Sequence, residues 1–133
     1  MASNETWKPP EIHPDPTRPL YEQFADVIRT EIASGRLRPG VRMPSVRDLA
    51  GTWRVNPNTV MRTYRDLEQI GFLMTQRGQG TFVVRDERVI EDSKLAIAKR
   101  AWQQFQEVAQ SLGMTVHELI DLATQEEVDR AHE

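Results

Sequence analysis

Two helix starts stand eleven residues apart near the middle of this chain. That spacing leaves room for one short helix, a tight turn and a second helix. Ser45 is a good N-cap, and Asp48 three positions later completes a capping box. Asn56 is the second N-cap, with Pro57 at the first helical position, where a missing N–H costs nothing. After the second helix comes Arg77-Gly78-Gln79-Gly80. Its glycines let the backbone take positive φ twice, as a hairpin turn requires. Residues 44–83 therefore read as helix, turn, helix, hairpin, an order suited to reading a DNA duplex.

The flanking sequence supplies partners for that unit. Leu20, Phe24, Val27, Ile28 and Ile32 fall at helical spacing and predict a first helix over residues 20–34, ended by Gly35. A turn at 36–40 leads to a very short strand at 41–43. In the helix after Ser45, the core candidates are Val46, Leu49, Ala50 and Trp53. Gly51 lies inside it at a cost of about 1 kcal/mol against alanine, which implies a close helix approach or a weaker helix. In the next helix Val60, Tyr64, Leu67 and Ile70 face inward, and Gly71 is the C-cap. Asn58, Thr59, Arg62, Thr63 and Arg65 face outward, where amides, hydroxyls and guanidinium groups reach base edges and phosphates. Strands at 72–76 and 81–85 place Arg77 and Gln79 at the hairpin tip, well placed to touch a neighbouring minor groove or its phosphates, the alternative being a plain solvent-exposed turn.

The charge distribution agrees. The net charge of the chain is -3, but residues 18–85 hold 11 basic and 6 acidic side chains, a net of +5, and every basic one is arginine. Residues 86–133 hold 5 basic and 11 acidic side chains, a net of -6. Arginine presents a planar fork of donors to phosphates and guanine edges.

Beyond the hairpin, the acidic segment 86–92 reads as a joint. A helix over 93–112 then carries Leu95, Ala98, Trp102, Phe105, Ala109 and Leu112 at alternating steps of three and four, the seam of a helical pairing surface. Gly113 breaks it. Thr115 and Glu118 form a capping box for a last helix, expected to fray after Thr124. Residues 1–17 are proline-rich with no apolar period and are expected to be a flexible arm, with Trp7 and Ile12 as its only candidates for docking.

Enzyme chemistry finds no foothold. There is no cysteine, and His13, His117 and His132 lack metal-ligand spacing with a carboxylate pair. The pair Gly78 and Gly80 does not lead from a strand into a helix, so a phosphate loop fails on context. No cofactor is implied. No apolar run spans a membrane, which makes the cytoplasm the default location.

The fixed residues carry a resemblance. Pro19-Leu20-Tyr21 with Gln23, Gly35-x-Leu37-x-Pro39-Gly40, Met43-Pro44-Ser45-x-Arg47-x-Leu49-Ala50, Val55-Asn56-Pro57-Asn58-Thr59-Val60, Tyr64-x-x-Leu67-Glu68-x-x-Gly71 and Arg77-Gly78-x-Gly80-Thr81-Phe82-Val83 resemble the DNA-binding domain of the GntR family of bacterial transcription regulators. The Asn56–Val60 version and the short tail look like the YtrA-type branch, whose members pair through a small helical segment. The resemblance implies DNA contacts at Arg47, Asn56, Asn58, Thr59, Arg62, Arg77, Gly78 and Gly80. Pro57 and Met61 stand where some branches have arginines, so a different DNA sequence is expected.

The expected architecture is mainly α with a small β wing: a flexible arm (1–17), a winged helix-turn-helix (18–85) and a two-helix dimerisation segment (86–133). The expected function is sequence-specific DNA-binding regulation, by a homodimeric repressor on an inverted-repeat operator of double-stranded DNA. The candidate DNA contacts are Arg47, Asn56, Asn58, Thr59, Arg62, Thr63, Arg65, Arg77, Gly78, Gln79 and Gly80. The alternative is a winged-helix module for protein interaction, which requires an apolar patch on the second helix of the pair, where Met61 is the sole candidate. A small-molecule pocket lined by Trp102 and Phe105 is the lesser alternative to the pairing seam, and an effector stays open without being indicated.

Overall fold

The computed structural model describes residues 7–131. The chain divides into two compact units, Met1–Lys94 and Leu95–Glu133. The first holds α1 (Leu20–Ala33), α2 (Val46–Trp53), α3 (Pro57–Gln69), β1 (Leu73–Gln76), β2 (Gly80–Val83) and the start of α4 (Glu87–Ser111). The second holds the rest of α4 and α5 (Val116–Ala131). The fold is mainly α with a two-stranded wing, as expected.

In the first unit, α1 and α2 both pack on α3, and β1 follows alongside it. Phe24, Ile28, Ile32, Leu37, Leu49, Val60, Leu67 and Val83 are fully buried. Burying such side chains contributes about 1.5–3 kcal/mol each and fixes the angle at which α2 and α3 meet. Tyr64 joins this core and its hydroxyl donates to the Pro44 carbonyl at 2.7 Å, tying α3 to the entry of α2.

The helix starts follow the sequence closely. The Ser45 hydroxyl accepts from the Asp48 N–H at 3.0 Å, although the Asp48 carboxylate makes no bond back, so only half of the expected box forms. The Asn56 side chain accepts from the Asn58 N–H at 2.8 Å, with Pro57 in the first turn. Between them Arg54 takes a left-handed conformation (φ 56°) and the Val55 N–H donates to the Ala50 carbonyl at 3.0 Å. That closes α2 in one residue, at a cost of about 1–2 kcal/mol for a residue with a Cβ. Gly51 is exposed, and a methyl group there would meet nothing within 4 Å. No close helix approach requires it, so α2 is simply weakened by it.

The wing pairs Leu73 with Val83 and Gln76 with Gly80 in antiparallel register. Gly78 and Gly80 have φ of 78° and 122°, the two positive values the turn requires. Residues 41–43 add an edge to it: the Met43 N–H donates to Thr81 O at 2.7 Å and the Val83 N–H to Val41 O at 2.9 Å. The Thr75 hydroxyl donates to the Glu68 carboxylate, which ties the wing to the end of α3.

Two expectations are corrected. From Trp7 to Thr17 the arm is irregular but held. Trp7 is buried and meets Trp53 edge-on at 6.4 Å, while Trp53 stacks on Phe24 at 4.6 Å and its indole N–H donates to Pro10 O. The Gln23 amide bonds the backbone of Asp15 and Arg18. The expectation for residues 1–6 lies outside the described residues. Segment 86–92 is not a joint: α4 begins at Glu87, with the Asp86 carboxylate accepting from the Arg88 N–H at 2.9 Å. Acidic side chains suit the positive end of a helix dipole, and Ile90 is buried against the first unit's core. The last helix, α5, runs to Ala131.

In the second unit Thr115 and Glu118 form the expected reciprocal box, with bonds of 3.1 and 3.3 Å. Ala109 and Leu119 are buried, and the Met114 N–H donates to Ala109 O. By contrast Leu95 (56% exposed), Trp102 (50%) and Leu112 (57%) lie open, as do Val108, Ile120 and Leu122. Trp102 stacks with Phe105 at 6.3 Å.

Candidate nucleic-acid interface

Three arginines on or beside α1 are paired: Arg18 with Asp26 at 3.0 Å, Arg29 with the same carboxylate at 3.9 Å, and Arg36 with Glu31 at 2.7 Å, whereas Arg38, which follows them, forms no ion pair among the described residues. Arg47, Arg54, Arg62, Arg65 and Arg77 form no ion pair among the described residues, and all five are exposed. They belong to α2, the turn after it, α3 and the wing. Uncompensated, hydrated guanidinium groups on consecutive elements attract a polyanion, and the attraction weakens as salt rises.

Each expected contact residue has a definite place. Arg47 is exposed in the first turn of α2, where its charge opposes the helix dipole. Asn56 uses its side-chain oxygen as the α3 cap, which leaves its NH₂ group as the donor available outward. Asn58 is exposed and Thr59 partly buried. Arg62 and Arg65 are exposed on α3, and Arg77, Gly78 and Gln79 on the wing tip. Gly80 is less open. A side chain there would press on the Arg42 guanidinium, with 2.9 Å to its Nε, so Arg42 lies along the wing backbone.

Thr63 is a correction. Expected outward, it is fully buried, and its hydroxyl lies 2.9 Å from Thr59 O and 3.3 Å from Tyr21 O. Its spacing from Val60, Tyr64 and Leu67 places it on the inner face, and the hydroxyl is satisfied by carbonyls there. It is part of the α1–α3 contact, not of a DNA-facing surface. Ile70, expected inward, is 49% exposed just beyond the end of α3.

Two residues that sequence reasoning passed over also belong here. Arg54 stands at the helix junction in its strained conformation. Tyr21, on α1, places its ring under the Arg62 guanidinium, with the guanidinium carbon 3.6 Å from the ring centre. No periodicity links positions 21 and 62, and only the packing of α1 on α3 brings them together.

Residues 20–83 match the model of the bacterial regulatory proteins of the gntR family. YhcF of Bacillus subtilis, an HTH-type transcriptional regulator, is 35% identical over 105 residues, covering 79% of this chain and 87% of that one. The chain belongs to the GntR family. The HTH-type transcriptional repressor YtrA of B. subtilis is 34% identical over 95 residues, 71% of this chain and 73% of its own. Among solved structures, a GntR family transcriptional regulator from Listeria monocytogenes superposes with a TM-score of 0.78 at 34% identity, covering 84% of this chain and 97% of that one. This GntR protein is thus a helix-turn-helix regulator and not an enzyme, and the partner its class implies is DNA. No helix among the described residues is long and apolar enough to cross a membrane.

Proposed function

We propose that this GntR protein is a transcriptional repressor of the YtrA-type branch, binding an inverted-repeat operator as a homodimer. Each subunit lays α3 in a major groove through Asn56, Asn58, Thr59, Arg62 and Arg65. Arg47 reaches the same duplex from α2, and the wing tip Arg77-Gly78-Gln79-Gly80 lies at the flanking minor groove. Residues 18–85 bind DNA and residues 86–133 pair the subunits. The observation that carries the reading is that Arg47, Arg54, Arg62, Arg65 and Arg77, on α2, the turn after it, α3 and the wing, are all exposed and form no ion pair among the described residues.

The pairing surface is supported by the open apolar side chains Leu95, Trp102 and Leu112, with Ala98 and Phe105 between them. Ala109 belongs to the seam by spacing but is 1% exposed within its own chain, so it supports the surface from beneath. A two-fold dimer demands a two-fold symmetric site. The repressor reading is supported by the description of the B. subtilis relative YtrA.

Selection of binding sites from random duplex DNA by the purified protein tests this. The expected product is an inverted repeat with half-sites about one helical turn apart. Arg47→Ala is expected to weaken binding to that site by about 1–3 kcal/mol at fixed salt, with an unchanged melting temperature. Recovery of no motif refutes sequence-specific binding, and an unchanged affinity refutes the role of Arg47.

A further inference from the structure

Arg62 differs from the other exposed arginines of α3 and the wing in having an aromatic platform. Its guanidinium carbon stands 3.6 Å from the centre of the Tyr21 ring, at van der Waals contact with the face. Stacking of this kind uses the flat face of the guanidinium and leaves the N–H donors in its plane available. Those donors are the ones that make a bidentate pair with O6 and N7 of guanine. No carboxylate pairs with Arg62 among the described residues.

The platform is itself held. Thr63, the residue after Arg62, is fully buried with its hydroxyl 3.3 Å from the Tyr21 carbonyl. Ring and guanidinium are therefore registered by neighbouring contacts between the same two helices. The only other guanidinium over a ring in the described residues is Arg29 over Phe72, at 5.7 Å. Arg29 is partly buried and shares Asp26 with Arg18, so its stack belongs to the core edge. Arg65 is exposed without a platform. A long, flexible arginine loses rotamer freedom when it binds, and a side chain already stacked loses less.

We infer that Tyr21 is a positioning residue for base recognition: it pre-orders Arg62 to read a guanine edge in the major groove. The inference rests on the DNA-binding reading above and adds a base-specific role to one arginine and a helper outside the helix pair. Arg62 occupies the second turn of α3, within the stretch of a recognition helix that meets base edges.

The test uses the full-length protein and the selected operator. Duplexes carrying each base pair replaced in turn give a discrimination ratio at every position. Arg62→Ala is expected to abolish discrimination at one G·C pair per half-site. Tyr21→Leu is expected to lower the ratio at that same pair by about threefold and leave the others unchanged. Tyr21→Phe, which keeps the ring, restores it. Tyr21→Leu added to Arg62→Ala has no further effect on that ratio. Thermal melting of each variant separates these effects from unfolding. The inference is overturned if Arg62→Ala removes no discrimination, if Tyr21→Leu weakens all sequences alike, or if Tyr21→Phe behaves as Tyr21→Leu does. In each of those cases the wild-type protein still binds its operator and the DNA-binding reading stands. Absence of any operator for the wild-type protein refutes both.

Discussion

Gly51→Ala isolates the intrinsic weakness of α2 from everything around it. The glycine is helical and exposed, and an added Cβ meets no atom within 4 Å. The substitution therefore adds no contact and creates no clash. What remains is backbone entropy, because alanine has fewer unfolded conformations to lose, which stabilises a helix interior by about 0.5–1 kcal/mol. At about 2.1 cal/mol/K per residue, unfolding of the 94-residue first unit carries an entropy of about 0.2 kcal/mol/K. A gain of 1 kcal/mol then raises the melting temperature by about 5 °C, or by about 3–4 °C if all 133 residues unfold together. Circular dichroism at the helical minimum, without DNA, measures it. A lowered melting temperature refutes the argument, because it would mean that α2 needs the glycine for packing. Operator affinity is expected to be unchanged within a factor of two. A stabilised protein that binds poorly would show that the duplex approaches the backbone at this position.

Two further substitutions probe the ends of the argument. Trp102→Asp places a charge on the open apolar face, and sedimentation is expected to give a monomer with weakened operator affinity; an unchanged dimer mass would remove α4 from the pairing surface. Burial pushes the Tyr64 hydroxyl far above its ordinary value of 10.0, so the folded state holds this proton after the unfolded chain has released it. The resulting stability is complete below pH 10 and falls as pH rises beyond it. Tyr64→Phe is expected to flatten that alkaline decline while costing about 1 kcal/mol at neutral pH for the lost bond to Pro44. An equally steep decline would mean that another group governs it.

The two helix starts and the wing were legible because each rests on local chemistry. Ser45, Asn56-Pro57, Gly78 and Gly80 act within a few residues of themselves, and the structure uses all of them. The capping box of Thr115 and Glu118 was legible for the same reason. Part of what was misread depended on distant partners. Thr63 is polar, and its inward placement depends on the carbonyl of Tyr21, 42 residues away. Trp7 was a candidate for docking, but with no apolar period around it its partner Trp53 on α2 could not be named. Segment 86–92 looked like a linker by its acidity, yet the same acidity suits the first turn of a helix capped by Asp86. The outward placement of Asn58, Arg62 and Arg65 was read from residue type and approximate phase, and all three are exposed on α3. The platform beneath Arg62 required α1 packed on α3.

The placement of the three tryptophans gives the protein a spectroscopic partition. Trp7, buried, and Trp53, partly buried, share one cluster, while Trp102 stands half-exposed on α4. Emission from the first pair reports whether the arm remains seated on α2, and moves to longer wavelength when water reaches the indoles. Emission from Trp102 moves the opposite way when a second chain covers it. If subunits pair through this face as proposed, detachment of the arm and association give opposite colour changes. With Trp102→Phe as the reference, the two events can be followed in one titration without an attached dye.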